Sequence, residues 1–194
     1  MRTTMQDLKA ALRDQARERL EKMPAAERAA ASRQARALLT AQPVWNRAQS
    51  VLMFAPLPKE LDVWPLLAEA LAAGKRVALP RFEPDLKSYA IRQIQNAETD
   101  LLVGHFGIRE PREQCARLSS NRVELILVPG VAFDLQGSRL GRGKGYYDQL
   151  LAAVRGKRCG VAFDEQLVPE IPVEAHDARM DCLLTPTRWV ELPA

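Results

Sequence analysis

Val123-Glu124-Leu125-Ile126-Leu127-Val128, running straight into Pro129-Gly130, is the most strand-like stretch of this chain. A short apolar run closed by a turn signal reads as a strand buried on both faces, and such strands belong to parallel sheets covered by helices. Upstream, Val51 to Ala55 is a second run of this kind. Leu61 to Ala73 then reads as a helix with Gly74 as its C-cap, and Arg76 to Leu79 as a strand ending at Pro80. Strand, helix, strand is a βαβ unit, which asks for parallel neighbours. Tyr89 to Ile94 alternates apolar and polar residues, as a strand near a sheet edge does. Asn96 to Asn121 reads as mostly loop. Downstream, Tyr146 to Val154 is helical and closes at Gly156, while Arg158 to Phe163 and Cys182 to Leu184 are further strands.

The N-terminal part has a different texture. Thr3 and Gln6 have the spacing of a capping box, and Leu8, Leu12, Ala16 and Leu20 recur four apart, predicting an amphipathic first helix. Pro24 suits the first turn of a second helix over Ala25 to Ala41, and the pair is expected to pack as a hairpin. No repeat or linker interrupts the chain. The expected fold is a single α/β domain, residues 1–194, with a mostly parallel Rossmann-like sheet flanked by helices and an N-terminal helical hairpin.

Composition narrows the function classes. With 47% apolar and 27% charged residues the chain can build a core, which excludes intrinsic disorder. The surplus of 28 basic over 24 acidic residues favours anionic ligands without indicating a nucleic-acid face, and 6% aromatics gives no stacking platform for bases. Cys115, Cys159 and Cys182 form no CxxC pair, so neither a disulfide framework nor a zinc site is expected. Residues 1–20 are densely charged and there is no run of eighteen apolar residues, so a cytoplasmic protein outside the membrane is expected.

Gly137-Ser138-Arg139-Leu140-Gly141-Arg142-Gly143-Lys144-Gly145-Tyr146-Tyr147-Asp148 follows the VELILV strand at its carboxyl end, where ligands of open parallel sheets bind. Glycines let backbone N–H groups approach an anion closely, and a helix starting near Lys144 adds partial positive charge, so phosphate is the natural occupant. A solvated basic turn is the alternative. The spacing is not that of G-x-x-x-x-G-K-[ST], because Ser138 and Gly145 stand where Gly and Ser or Thr are required, nor of a dinucleotide fingerprint.

RLGRGKGYYD, preceded by VPGVAFDLQG, resembles the signature of the 5-formyltetrahydrofolate cyclo-ligase family. LKAALR, PLPKELD, GKRVALPR, GIREP and HDARMD also fall in the expected order over nearly the whole chain. The resemblance implies a fold like that of the ribose-phosphate isomerase and CoA-transferase group. It implies that the formyl oxygen of 5-formyltetrahydrofolate takes the γ-phosphoryl group of MgATP, that N10 attacks the activated carbon, and that phosphate leaves to give 5,10-methenyltetrahydrofolate.

The same resemblance assigns ATP binding to Lys9, Arg13, Arg139, Leu140, Gly141, Arg142, Gly143, Lys144, Gly145, Tyr146 and Tyr147, with Arg142 and Lys144 stabilising the transferring group. It assigns folate contacts to Ala55, Glu60 and Phe106 together with Arg142, Gly143, Lys144, Gly145 and Tyr146, and Mg²⁺ to Asp148 and Asp177. Tyr146 and Tyr147 could instead pack into the core, and Asp148 could serve only the first turn of its helix. Asp134 and Asp181 are read as structural, and His105 and His176 lack metal-ligand spacing. A monomer is expected, acting on 5-formyltetrahydrofolate, with or without a polyglutamate tail, with ATP as co-substrate and without nucleic acid. Two other readings stay open: a relative that phosphorylates another carboxylate or amide, and an accessory protein whose basic loop follows an RNA backbone.

Overall fold

The computed structural model describes residues 4–174 and 177–193, without the side chain of Phe106. The helices are α1 (Met5–Lys22), α2 (Ala25–Thr40), α3 (Pro43–Arg47), α4 (Trp64–Ala72) and α5 (Tyr146–Ala153). The strands are β1 (Ser50–Leu52), β2 (Arg76–Glu83), β3 (Ser88–Ile94), β4 (Leu101–Val103), β5 (Arg109–Pro111), β6 (Leu125–Pro129), β7 (Ala132–Phe133), β8 (Arg139–Leu140), β9 (Lys157–Val161), β10 (Cys182–Leu184) and β11 (Trp189–Glu191).

Seven strands form one sheet in the order β11-β10-β9-β6-β1-β2-β3. The five inner strands are parallel, and β3 and β11 pair antiparallel at the two edges. Because side chains alternate across a strand, the sheet builds two cores. Val51, Val77, Leu79, Leu125, Leu127, Cys159 and Cys182 face α2, α3 and α4 on one side. Leu52, Ala78, Ile126, Val128 and Leu183 face Leu150, Leu151 and Val154 of α5 and its following turn on the other. Helices therefore cover both faces, as the VELILV run predicted. Strand order reverses between β1 and β6, so the loops leaving their carboxyl ends diverge and open a crevice.

Several elements differ from the sequence reading. The first capping box is Thr4 with Asp7, one residue later than expected, because the helix starts at Met5 and its third position is Asp7. Thr3 lies outside the described residues. Leu8 is 46% exposed, whereas Lys9 is buried, so the inward stripe of α1 runs through Lys9, Leu12, Ala16 and Leu20. The two N-terminal helices dock chiefly on different partners: Leu12 and Ala16 of α1 pack on Val131, Ala132, Leu140, Val168 and Ile171, while Ala31, Ala35 and Leu39 of α2 join the main core. Leu20, in the last turn of α1, and Met23, in the tight connection between the two helices, also join that core.

The second strand continues through Pro80 to Glu83. Pro80 is in phase with Ala78, whose carbonyl accepts from Met53 on the β1 side, and the pairing with β1 ends at Ala78. The missing proline N–H thus points where no partner strand remains. The hairpin β4-β5 lies inside the stretch expected as loop, and the short pair β7-β8 and strand β11 were not anticipated. Each is two or three residues long, too short to carry a periodic signal.

Candidate active site

The crevice at the β1/β6 switch point is a cleft of about 510 Å³. One wall is the chain after β6, from the β7-β8 hairpin through the glycine loop to the start of α5. Asp134 shapes the root of this segment, its carboxylate accepting from the N–H groups of Gln136, Ser138 and Ile171. Gly143 and Gly145 hold φ angles of 94° and 71°, a region that side chains other than glycine enter at a cost of roughly 1–2 kcal/mol. Gly145 is also the N-cap of α5, without a side-chain cap, so the first N–H groups of that helix remain available to an anion.

Helix α1 closes the cleft from above. Arg13 donates from Nε to the carbonyl of Gly141 at 2.9 Å and packs alongside Gly143. Lys9, 7% exposed, donates to Glu174 and Asp177, both at 2.9 Å. Burial works against the Lys9 ammonium, but hydrogen bonds to Glu174 and Asp177 outweigh it and hold its pKa above the ordinary lysine value. Across the mouth, Arg142 donates to Oε1 of Glu60 at 2.8 Å, while Oε2 of Glu60 accepts the N–H of Leu57 at 2.9 Å. The glycine loop and the loop after β1 are thereby joined by one charge pair. Lys144 is exposed and has no ion-pair partner among the described residues.

An aromatic wall forms the far side. Tyr146 meets Phe82 at 5.0 Å and Tyr89 edge-on at 6.2 Å, and Tyr147 meets Tyr89 at 5.6 Å between ring centroids. Tyr147 both lines the cleft and packs against the two cores, and burial pushes its phenol well above the usual range. Arg139 is 8% exposed, its guanidinium paired with Asp148 at 2.6 Å and lying 5.8 Å from the Tyr147 ring centroid. Asp148 therefore bonds Arg139 rather than its own helix turn. Pro80, Tyr89, Ile108, Arg109 and Glu110 complete the lining from β2, β3 and the β4-β5 hairpin.

Of the residues expected at the site, Lys9, Arg13, Ala55, Glu60, Arg139, Leu140, Gly141, Arg142, Gly143, Lys144, Gly145, Tyr146, Tyr147, Asp148 and Asp177 all line this one cleft. The expectation for Phe106 concerns a side chain outside those described, and His176 is likewise outside them. His105 stacks on Phe82 at 4.9 Å. Sequence reasoning missed Tyr89 and Glu110. Tyr89 carried only an edge-strand signal, and Glu110 lay within the quoted GIREP motif without a role.

A family model described as the 5-formyltetrahydrofolate cyclo-ligase family matches residues 5–186. The chain belongs to that family. A mouse 5-formyltetrahydrofolate cyclo-ligase is 29% identical over 93% of this chain and 95% of its own length. A probable 5-formyltetrahydrofolate cyclo-ligase of Schizosaccharomyces pombe is 32% identical over 76% of this chain and 80% of its own. Among solved structures, Aquifex aeolicus 5,10-methenyltetrahydrofolate synthetase superposes with a TM-score of 0.86 at 35% identity, covering 96% of this chain and 94% of that one. Family membership identifies an enzyme of the cyclo-ligase type, a ligase of folate one-carbon metabolism. No helix among the described residues is long and apolar enough to cross a membrane, and the three cysteines are buried free thiols.

Proposed function

We propose that this enzyme converts 5-formyltetrahydrofolate to 5,10-methenyltetrahydrofolate at the expense of ATP, releasing ADP and phosphate. The observation that carries the reading is the meeting, in one cleft, of a cation-rich glycine loop with Ala55 and Glu60 from the loop after β1. A formamide is a poor electrophile. Transfer of the γ-phosphoryl group to its oxygen turns that oxygen into a phosphate leaving group, and N10 can then close the ring. The protein's contribution to such a transfer is positioning and charge neutralisation.

The N–H groups of the glycine loop and of the first turn of α5 cradle the phosphates. Arg142 and Lys144 neutralise charge on the transferring group, and Lys9 and Arg13 reach the triphosphate from α1. Leu140 supports the loop from β8, and Arg139 holds Asp148 and Tyr147 in place. Glu60 accepts hydrogen bonds from the pterin amino and ring N–H groups, beside Ala55 and against the aromatic wall of Tyr146. Phe106 completes the folate contacts in this reading.

Asp148 and Asp177 supply the carboxylate oxygens that a hard cation prefers, and both line the cleft. Each is already neutralised by a cation, and the described residues hold no cluster of three metal-binding side chains. That donor set suits a Mg²⁺ that arrives on the triphosphate and needs one or two carboxylates. Bound there, it would neutralise the β- and γ-phosphates. The proposal includes a monomer in the reducing cytoplasm that accepts polyglutamylated substrate. The test is an absorbance assay for the near-ultraviolet band of the methenyl product with and without ATP. ATP-dependent growth of the band is expected; a flat trace with ATP still bound by calorimetry would move the search to another acceptor.

A further inference from the structure

Asp134, the first residue after β7, is 1% exposed, and no cation among the described residues pairs with it. Backbone alone meets its charge. Oδ1 accepts from the N–H groups of Gln136 and Ser138 at 3.0 and 2.8 Å, and Oδ2 from that of Ile171 at 2.9 Å. Burying a carboxylate is costly unless its oxygens are hydrogen-bonded, and bonds to a charged acceptor are the stronger ones. The two oxygens serve two different segments.

Oδ1 closes the turn between β7 and β8, and the glycine loop leaves directly from β8. Oδ2 reaches 37 residues along the chain, to a segment that passes β7 at Leu167 and Val168. Pro172 follows with its fixed φ, and Glu174 and Asp177 stand three and six residues beyond the Ile171 bond. Those two acids hold Lys9 of α1. Ile171 itself packs in one cluster with Leu140 of β8 and Ala16 of α1. Three stretches distant in sequence therefore take their spacing around a single carboxylate, and all three supply the residues read above as facing the triphosphate.

The folate side is tied down elsewhere. Ala55 and Glu60 belong to the loop after β1, where Glu60 takes the N–H of Leu57. The N–H of Asp62 donates to Ser32, and its carbonyl accepts from Arg36, both residues of α2.

We infer that Asp134 is the positioning residue of the ATP half of the cleft, fixing the separation between the glycine loop and the segment of Glu174 and Asp177, and through those acids the seat of Lys9. The inference rests on the cyclo-ligase reading above. Asp134 touches no substrate in it and acts through Ser138 and Ile171.

An amide at this position separates the two ends, because asparagine offers one acceptor oxygen and an NH2 group that only donates. Two donors on the turn side against one on the far side keep the oxygen of Asp134→Asn on the turn, so its NH2 meets the N–H of Ile171. The experiment combines amide hydrogen exchange with calorimetric titration of MgATP and, separately, of 5-formyltetrahydrofolate. In Asp134→Asn the amides of Ile171, Val173 and Glu174 should exchange about tenfold faster or more, while that of Ser138 stays within about threefold of wild type. The Kd for MgATP should rise about tenfold or more, and that for the folate without ATP should stay within about twofold. In the wild type, saturating MgATP should raise the protection of Ser138 and Ile171 by the same factor, a measurement that decides the question even if the variant fails to fold. Loss of both affinities together, a stability loss with both affinities unchanged, or protection by MgATP of only one of the two amides would each overturn the inference. A wild type that binds no MgATP overturns the cyclo-ligase reading itself, which is a separate outcome.

Discussion

Replacing Lys9 with methionine should cost about 2 kcal/mol of stability. The side chain is 8% exposed and its ammonium lies 2.9 Å from both Glu174 and Asp177, whose side chains are 39% and 18% exposed. Breaking a fully buried ion pair by deleting one partner costs roughly 3–5 kcal/mol, and an exposed one about 0–1. Here the cation is buried and its acids are partly wetted, which places the cost between those limits. For a chain of this length each kcal/mol moves Tm by roughly 2–4 °C, so the variant should melt about 4–8 °C lower. Because the folded Lys9 pKa is raised, its contribution is complete below the unfolded lysine value and is lost only as pH rises through the folded one. Across neutral pH the deficit should therefore be constant on the lysine side. The assay is thermal unfolding by circular dichroism of Lys9→Met, of Glu174→Gln with Asp177→Asn, and of all three together. If Lys9→Met costs as much in the background lacking both acids, with a coupling below about 0.5 kcal/mol, the electrostatic account is wrong and packing is responsible.

Other outcomes follow from the same geometry. Lys144→Ala should lower kcat/KM for ATP by about a hundredfold or more, yet leave Tm unchanged, because the side chain is exposed and makes no ion pair among the described residues; retained activity would remove it from the phosphate site. Gly143→Ala, at a φ of 94°, should cost roughly 1–2 kcal/mol by chemical denaturation and raise the KM for ATP. Ile126→Ala, fully buried in β6, should cost about 2–5 kcal/mol with an unchanged KM in whatever folded fraction remains. Glu110→Gln should stabilise the fold at neutral pH. A carboxyl whose pKa is raised on folding contributes stability below its unfolded pKa and loses it as pH rises through the folded value. The Tm advantage of the variant should therefore grow as pH rises above the ordinary glutamate range; a constant difference would show that burial of the charge is not its cause.

The central sheet was legible because the middles of its inner strands are buried on both faces and so form short apolar runs, as Leu125 to Val128 do. The same logic located the helix after β1 and the edge position of β3. What escaped were elements whose stability is tertiary. The extension of β2 through Pro80 depends on β1 ending early, and β7, β8 and β11 are held by neighbours rather than by local pattern. At the site, glycines and cations in one short segment announced an anion. Lys9 and Arg13 could be joined to it only through the family resemblance, since 128 residues separate Arg13 from the Gly141 carbonyl it holds. Glu110 was invisible for a related reason: burial, not residue type, distinguishes it from the other glutamates.

The Arg142–Glu60 pair gives the two substrates a thermodynamic link. In the proposed site ATP draws on Arg142 and the pterin draws on Glu60, so whichever arrives first relieves the other residue of its partner. The free energy of separating the pair is then met once and not twice, and the second substrate binds more tightly than the first by that amount. Linkage requires the effect to be mutual, with ATP raising folate affinity by the same factor as folate raises that for ATP. Cooperation between ligands that never touch at this contact would thus be a property of one exposed arginine and one sheltered glutamate, and Arg142→Met should abolish it in both directions.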